Sequence, residues 1–160
     1  MILDHYEQFL DLVFQKLSEL KIDVSNYELD HLGYQASSDA DYDKLKPEFL
    51  SLGESLSEEI VGGRRVGIVA FKKPLVYKNY IISAIELVAP KKDQICPSAL
   101  EHIEFVLPKG FTNFMQKYPE INFDTAALNQ PMFPMLKLKL DKYIQVKFHL
   151  KNVIQIVKEK

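Results

Sequence analysis

One short phrase occurs twice in this chain, and the repeat constrains the fold more than any other feature. Residues 29–34 read Leu-Asp-His-Leu-Gly-Tyr, and residues 100–105 read Leu-Glu-His-Ile-Glu-Phe. Both copies follow the order leucine, acid, histidine, aliphatic residue, any residue, aromatic residue. This alternation predicts two strands, each with its histidine on the face opposite the aliphatic and aromatic side chains. Two related half-domains would bring His31 and His102 to a shared axis, where they form one site.

The segments that follow each copy have the same order of patterns, so we expect one α+β domain over residues 1–160. Apolar residues at helical spacing precede the first copy, and each half then reads strand–helix–strand–strand–strand. In the second half, residues 120–130 carry no regular pattern, which leaves the second strand there without a position. The predicted parts are an N-terminal helix at 1–24, a first βαβββ module at 25–90, a second βαβββ module at 99–150 and a C-terminal helix at 151–160.

Serine, glycine and proline predict where several elements of the first module begin and end. Residues 37–41 supply N-cap candidates for its helix, which ends at Gly53. Pro47 lies inside this helix and is predicted either to kink it or to divide it into two turns. Gly62-Gly63 predicts a tight hairpin, and Lys72-Lys73-Pro74 is predicted to break the second strand of that hairpin.

The composition argues against several classes of partner. The net charge is −2 and the basic residues form no dominant stripe, so a nucleic-acid partner is not expected. The apolar runs are far too short to span a bilayer, so no membrane partner is expected. Asp4, His5 and Glu7 lie within the first helical pattern, which argues against a signal peptide. Cys96 is the single cysteine, so no internal disulfide forms and the expected location is cytoplasmic.

The closing strand of each half adds polar side chains to the same region. Glu86 lies within the apolar run 81–88, and an acid in such a run needs water, a cation or a metal as its partner. In the second half, Lys147 and His149 share one face of the closing strand. This polar face is expected to look into a cleft or into solvent.

Alternation also predicts which residues lie beside the two histidines. His31 is expected to share a face with Leu29 and Gln35. His102 is expected to share a face with Leu100 and Glu104. Glu104 is therefore a candidate catalytic base near the site. The alternative for Glu104 is a solvated position beside His102.

His31, Glu86, His102 and one of Lys147 or His149 thus come from the first and last strands of the two halves. Two imidazoles and a carboxylate, without thiolates, suit Zn, Fe, Mn, Ni or Co with open coordination positions. Such a divalent metal ion polarises a carbonyl, activates water, or holds dioxygen or a diolate. A single strand histidine is more often a satisfied surface or core residue, and the equivalence of two histidines is what favours a metal site.

Five phrases, spread over residues 29–150, are shared with a known superfamily. They are Asp30-His31, Gly63-Arg64, Ile85-Glu86-Leu87, Glu101-His102-Ile103-Glu104-Phe105-Val106-Leu107-Pro108 and Lys147-Phe148-His149. In these phrases the chain resembles the vicinal oxygen chelate superfamily and, more closely, the YecM family of uncharacterised bacterial proteins. The resemblance implies paired βαβββ modules that form a cupped mixed sheet around a metal or ligand. It also implies metal ligands on the first and last strand of each module.

The resemblance assigns His31, Glu86 and His102 as three of the metal ligands. At the fourth position, Lys147 stands where the superfamily commonly has a glutamate, and a cationic lysine cannot bind a metal. His149, two residues on, is the fourth predicted ligand, provided that the strand shifts inward. The alternatives are a site with three protein ligands, or a non-metal ligand paired with Lys147.

These observations predict a divalent-metal-binding protein that acts on a small oxygen-rich molecule as an isomerase, lyase or dioxygenase. The first alternative is a protein that binds a small molecule in the same cup without turnover, as bleomycin-resistance relatives do. The second is a structural module in which both histidines are relics. Arg64 and Arg65 at the hairpin either grip an anionic substrate or are solvated, as turn-tip arginines usually are. The sequence leaves the oligomeric state open, and a monomer is compatible with it.

Overall fold

The computed structural model describes residues 1–160 and contains one seven-stranded mixed sheet and four helices. In chain order the elements are α1 (Tyr6–Glu19), β1 (Glu28–Gln35), α2 (Asp39–Ser51), β2 (Gly53–Val61), β3 (Arg64–Tyr77), β4 (Tyr80–Val88), β5 (Ala99–Val106), α3 (Phe111–Gln116), β6 (Leu136–Asp141), β7 (Ile144–His149) and α4 (Val153–Lys158). The strands lie in the order β2-β3-β4-β1-β5-β7-β6 across the sheet. The predicted α+β class is confirmed.

The two copies of the repeated phrase form the two central strands of the sheet. β1 and β5 pair antiparallel and join its two halves. Each then pairs parallel with the closing strand of its own half, β1 with β4 and β5 with β7. The closing strands in turn pair antiparallel with β3 and β6. The repeat therefore corresponds to an approximate twofold relation between two modules, with His31 and His102 on the strands nearest the axis.

The second module has three strands where the first has four. Residues 120–130 form no strand, in line with their irregular sequence. The outer edge of β6 instead carries one isolated bridge, in which Asp124 and Lys137 exchange backbone hydrogen bonds of 2.8 and 3.1 Å. In the second module this bridge takes the position that the outer strand β2 has in the first module.

One face of the sheet is apolar, and α1, α2 and α3 cover it. Leu10, Val13 and Leu17 of α1 are fully buried in the single large core cluster on this face. At the other end of the sheet, the ring of Phe114 from α3 lies 4.7 Å from that of Phe148 in β7. The burial of these apolar stripes holds the sheet rigid behind the polar residues described below. None of the four helices combines the length and the apolar content that crossing a bilayer requires.

The opposite face, here called the site face, is polar although much of it is buried. The buried polar side chains of the molecule are Asp30, His31, Gln35, His102, Glu104, Lys147 and His149. Helix α4 crosses one end of the site face, where Val153 packs on Ile68 and Ala84. Polar side chains are seldom buried without partners, so the site face is the region where function is expected.

Pro47 does not divide its helix, because α2 runs without interruption over Asp39–Ser51. The Ser38 side chain begins the helix by accepting a hydrogen bond of 2.9 Å from Asp41 N, as predicted. Beyond the proline, Phe49 is buried in the core. Capping and packing on both sides thus offset the cost of an interior proline, about 3 kcal/mol.

The prediction that Lys72-Lys73-Pro74 ends its strand is wrong, since β3 continues to Tyr77. The register of β3 against β4 shifts between Ala70 and Leu75. The three residues therefore form an irregular segment within one strand, where a proline needs no ladder hydrogen bond.

Candidate metal centre

A β-bulge in β1 decides which side chains lie beside His31. Leu29 lies opposite Phe105, but His31 lies opposite Glu104, so Asp30 is an extra residue in β1. Leu29 is consequently buried in the core with Phe105, whereas His31 belongs to the site face. The expectation that His31 and Leu29 share a face is wrong, because simple alternation does not allow for the extra residue.

The second copy of the repeat contains the equivalent bulge. His102 lies opposite Gly33, but Leu100 lies opposite Tyr34, so Glu101 is an extra residue in β5. Leu100 packs against the core, and the expectation that it shares a face with His102 is wrong for the same reason. In both copies the bulged residue is the acid that precedes the histidine.

Each of these acids fixes the ring of the histidine that follows it. Asp30 Oδ2 lies 2.8 Å from His31 Nδ1, and Glu101 Oε2 lies 2.5 Å from His102 Nδ1. An ionised carboxylate only accepts hydrogen bonds, so Nδ1 donates in both cases, and Nε2 is the nitrogen that carries a lone pair when the ring is neutral. A histidine that donates Nδ1–H to a carboxylate is the usual arrangement of a metal ligand. The sequence pattern predicts no role for Asp30 or Glu101, although both acids occupy the same position of the repeat.

The two Nε2 atoms converge on Glu86 of β4. His31 Nε2 lies 3.7 Å from Glu86 Oε2, and His102 Nε2 lies 3.5 Å from Glu86 Oε1. One ligand atom from each of the three residues lies within 4.8 Å of those from the other two. Both Nε2 atoms are buried and have no hydrogen-bond partner. Such orphaned nitrogens facing a carboxylate fit a metal ion, so the structure brings these three predicted ligands together.

Glu104 adds a second carboxylate beside the same nitrogen atoms. Its Oε2 lies 3.2 Å from His31 Nε2, and its Oε1 lies 4.0 Å from His102 Nε2. Glu104 is buried, with 3% of its surface exposed, so it does not have the solvated position that was the alternative. In the repeat, Glu104 corresponds to Gly33, whose missing side chain leaves room for the His102 ring.

The structure places His149 away from Glu86 and His102. Its Nε2 lies 2.9 Å from Asp30 Oδ2, and its Nδ1 lies 3.3 Å from Glu104 Oε2. Asp30, His31, Glu104 and His149 form a second group with the spacing of a metal site. The oxygens of Asp30 in this second group already accept hydrogen bonds. His149 is not part of the group formed by His31, Glu86 and His102, so its role as a fourth ligand stays a prediction. Lys147 lies opposite Glu104 in the register of β5 and β7.

Asp30 also anchors the C-terminal helix. Val153 N, at the start of α4, donates to both Asp30 oxygens at 3.1 and 3.0 Å. The Asn152 side chain caps the same helix by accepting from Ile154 N at 2.8 Å. The acid that orients His31 is therefore itself held by α4.

Replacing Asp30 by alanine should destabilise the protein strongly, because it leaves the Val153 amide and His31 Nδ1 without their buried acceptor and removes the carboxylate beside His149. We expect the free energy of unfolding to fall by about 3 kcal/mol, measured by urea denaturation. The control is Asn152→Ala, which removes the helix cap and an exposed hydrogen bond to Glu28 and should cost about 1 kcal/mol. Equal losses in the two variants would contradict a central role for Asp30.

Mutual electrostatics set the protonation of the metal-free centre. Burial lowers the pKa of His31, but the charges of Glu104, Asp30 and Glu86 outweigh it and raise this pKa to about 9. Burial raises the pKa of Glu104, but His31 and other nearby cationic groups outweigh it and lower the pKa to about 2. Glu101 follows the same logic, with its pKa lowered to about 2 by His102 in spite of burial. Without metal, His31 is thus an imidazolium held between carboxylates, and a metal ion has to displace its proton.

A cavity of about 250 Å³ opens onto Glu86 and Glu104. Helix α4 and residues 130–135 border it on one side, and the β2–β3 hairpin borders it on the other. A second cavity of about 420 Å³ lies at the other end of the site face, next to Glu101 and Cys96. The first cavity gives a small molecule access to the two carboxylates of the centre.

Comparison with known proteins identifies relatives along the chain. The family model described as YecM protein matches residues 1–160. An uncharacterised protein of Haemophilus influenzae is 36% identical over 90 residues, which are 56% of this chain and 47% of that protein. The chain spans about half the length of the curated relatives that it matches.

Solved structures share the fold. A structural-genomics structure described as Protein EC4020 gives a TM-score of 0.80 at 22% identity, and the match covers 99% of this chain and 91% of that one. A variant of Streptomyces coelicolor methylmalonyl-CoA epimerase, in complex with 2-nitronate-propionyl-CoA, gives a TM-score of 0.53 at 11% identity, covering 78% of this chain and 96% of that one. At these identities the likeness shows the fold alone, and it confirms the fold that the superfamily resemblance implied.

Proposed function

This chain belongs to the YecM family, and we propose that it binds a divalent metal ion and acts on a small oxygen-rich molecule. His31, Glu86 and His102 hold the metal in this proposal, and Glu104 is the base beside it. The reaction is that of an isomerase, a lyase or a dioxygenase. One observation carries the proposal: two buried Nε2 atoms face one carboxylate and have no hydrogen-bond partner.

The donor set supports a metal rather than a purely structural cluster. Two imidazoles and carboxylates suit Zn²⁺, Fe²⁺, Mn²⁺, Ni²⁺ or Co²⁺. The hydrogen bonds from Asp30 and Glu101 to the two Nδ1 atoms orient the rings and make Nε2 a better ligand. With three protein ligands, a bound metal would keep coordination positions free for a substrate, which is what a catalytic site needs.

When bound, such a metal polarises a carbonyl or an adjacent oxygen of the substrate. Glu104 is ionised at neutral pH and lines the cavity, so its carboxylate can accept a proton from a substrate there. The charge of His31 is the largest influence that lowers the pKa of Glu104. This carboxylate favours proton transfer, as in an isomerase or a lyase.

The known ligands of structural neighbours support a small-molecule site on this fold. Methylmalonyl-CoA epimerase structures were determined with 2-nitronate-propionyl-CoA and with methylmalonyl-CoA. The cavity next to Glu86 and Glu104 is the corresponding place that we propose for a substrate of this chain.

Metal content tests the proposal directly. Untagged wild-type protein should contain near-stoichiometric metal by inductively coupled plasma mass spectrometry, and His31→Ala/His102→Ala should contain none, because both orphaned nitrogens are lost. Glu86→Gln keeps the side-chain shape while removing the charge, and it should also lose metal. This variant provides the test if the double variant folds poorly. The control is His5→Asn, a surface position with a φ of 63° that asparagine tolerates.

Two results would contradict this proposal. Wild-type protein that stays empty after incubation with Zn²⁺, Ni²⁺, Fe²⁺ and Mn²⁺ would exclude the metal centre. Metal retained by the folded double variant would place the binding site elsewhere.

The second candidate function is binding of a small molecule in the same cavity without metal or turnover. It is favoured by Lys147, which is buried at the position where a fourth ligand is expected. It is also favoured by the imidazolium of His31, which neutralises Glu104 without a metal. A small molecule retained by metal-free protein in native mass spectrometry would support this alternative.

A further inference from the structure

Four cationic side chains line the cavity above the centre without forming an ion pair. They belong to Arg64, Lys91, Lys137 and Lys147. None of the four forms a salt bridge or donates a side-chain hydrogen bond. Lys147 is only 4% exposed, and it is one of the residues that line this cavity. The cavity is also lined by three carboxylates, but none of them lies within ion-pair distance of these four cations, so the four can still bind an external anion; the carboxylates are those of Glu59, Glu86 and Glu104.

The four charges are close enough to affect one another. Burial lowers the pKa of the half-buried Lys137, and the charges of Lys147, Lys91 and Arg64 lower it further. Asp124 acts in the opposite direction but does not cancel this effect. Four mutually repelling cations around one cavity create a positive potential that attracts anions.

The two adjacent arginines of the hairpin have separate roles. Arg65 pairs with Asp43 at 2.7 Å and with Asp39 at 3.4 Å, and its guanidinium lies 4.2 Å from the centre of the Tyr42 ring. Arg64, one residue earlier, points to the opposite face and lines the cavity without a partner. Arg65 is therefore explained by structure, while Arg64 remains available to a ligand.

Lys147 forms no ion pair with the nearest acids, although its charge contributes to the lowered pKa of Glu101 and of Glu104. Glu101 already interacts with His102 and accepts a hydrogen bond from Gln145 Nε2 at 2.5 Å. Glu104 already lies between His31 and His149. The ammonium of Lys147 thus has spare capacity for a bound anion.

We propose that the substrate is a small organic oxyanion whose charged group binds among Arg64, Lys137 and Lys147. This inference rests on the proposed function, since the other oxygens of the substrate would face Glu86 and Glu104. The cavity volume of about 250 Å³ lies below the range of roughly 300–1,000 Å³ that is typical for drug-sized ligands. A carboxylate and a phosphate share the chemistry that these cations recognise, so the experiment includes both.

The test is calorimetric titration of metal-free protein with malonate and, separately, with inorganic phosphate at low ionic strength. Metal-free protein is used because malonate chelates metals and would obscure the contribution of the cations. We expect at least one anion to bind with a Kd of about 1 mM or lower. Arg64→Gln and Lys147→Met should each raise this Kd at least about tenfold, because each removes a charge-assisted contact.

Matched controls separate this site from general electrostatics. Arg65→Gln removes the same charge one residue away and should leave the Kd unchanged. Lys147→Arg keeps the charge and should restore most of the affinity that Lys147→Met loses. Far-ultraviolet circular dichroism establishes that each variant is folded.

Two outcomes would overturn the anion site: neither anion binds the wild type, or Arg64→Gln and Lys147→Met bind as the wild type does. Metal content, measured on the same preparations, keeps the two proposals apart. Protein that loads metal but binds neither anion contradicts the anion site alone. Protein that binds an anion through Arg64 and Lys147 but takes up no metal contradicts the metal centre alone.

Discussion

Gly33→Ala should strongly weaken metal binding, although Gly33 is not itself a metal ligand. An added Cβ would lie 2.0 Å from His102 Cε1 and 2.3 Å from both ring nitrogens. The ring is fully buried and tied through Nδ1 to Glu101, so it can make room only by leaving its present position. We expect the metal affinity to fall about 10- to 100-fold, as when support for a ligand is removed. A competition titration against a zinc chelator measures this change.

The matched control is Gly67→Ala, at the other glycine inside a long strand. Its Cβ would lie 3.0 Å from the Tyr42 hydroxyl and from the Phe49 ring, on the apolar side of the sheet. This variant should lose stability in urea denaturation and keep the metal affinity of the wild type. Wild-type metal affinity in Gly33→Ala would show that His102 is not a ligand, or that its ring moves without consequence.

Sequence alone was sufficient to predict the two central strands and the meeting of their histidines. Equivalent positions in a repeat have equivalent places in the two modules, so finding His31 and His102 together follows from the pattern. Glu86 was predictable for a different reason, since an acid inside an apolar strand requires a partner. These predictions needed only alternation and the rule that buried charge is paired.

The neighbours of the histidines could not be predicted from alternation. A bulge adds one residue and shifts the alternation by one position, so strict alternation predicts the wrong face for Leu29 and Leu100. The same bulges bring Asp30 and Glu101 onto the site face, where they orient the rings. In the sequence, this orienting role is indicated only by the acid that precedes each histidine. The acid can be interpreted in this way only once the two strands are known to contain equivalent bulges.

The contribution of the last strand also required the structure. Lys147 and His149 share a face, but only pairing of β7 with β5 places Lys147 opposite Glu104. Helix α4 then brings Asp30 and His149 into one group that no short-range pattern contains. Contacts between residues so far apart in sequence depend on the register of the sheet and on helix docking.

Metal affinity should rise about tenfold for each pH unit between pH 7 and 9, because one proton has to leave His31 for each metal ion that binds. The pKa of His31 is raised to about 9 in the metal-free protein, so the imidazole is protonated through this range. Above the pKa the dependence should level off. Chelator-buffered zinc titrations at several pH values measure the slope, and a flat profile would show that metal binding displaces no proton from His31 in this range.

The same group gives a stability readout for metal-free protein, with a defined sign. The pKa of His31 is higher in the folded state, about 9, than in the unfolded chain, about 6.5. The contribution of His31 to the free energy of unfolding is therefore fully present below about pH 6.5 and is lost as the pH rises to 9. Glu104 has the opposite sign, because its pKa is lowered to about 2. Its contribution is present above about pH 4.5 and is lost as the pH falls, so metal-free protein should be most stable between these limits.

Glu104→Gln tests the cause of the pH dependence. The charge of Glu104 is the largest influence that raises the pKa of His31, so its removal should lower that pKa. The affinity of the variant for zinc should then level off at a lower pH, and the ratio of affinities between pH 9 and pH 7 should shrink. This ratio is informative even if Glu104 also contacts the metal, because a lost contact lowers the affinity equally at both pH values. An unchanged ratio would mean that another group holds the proton that metal binding displaces.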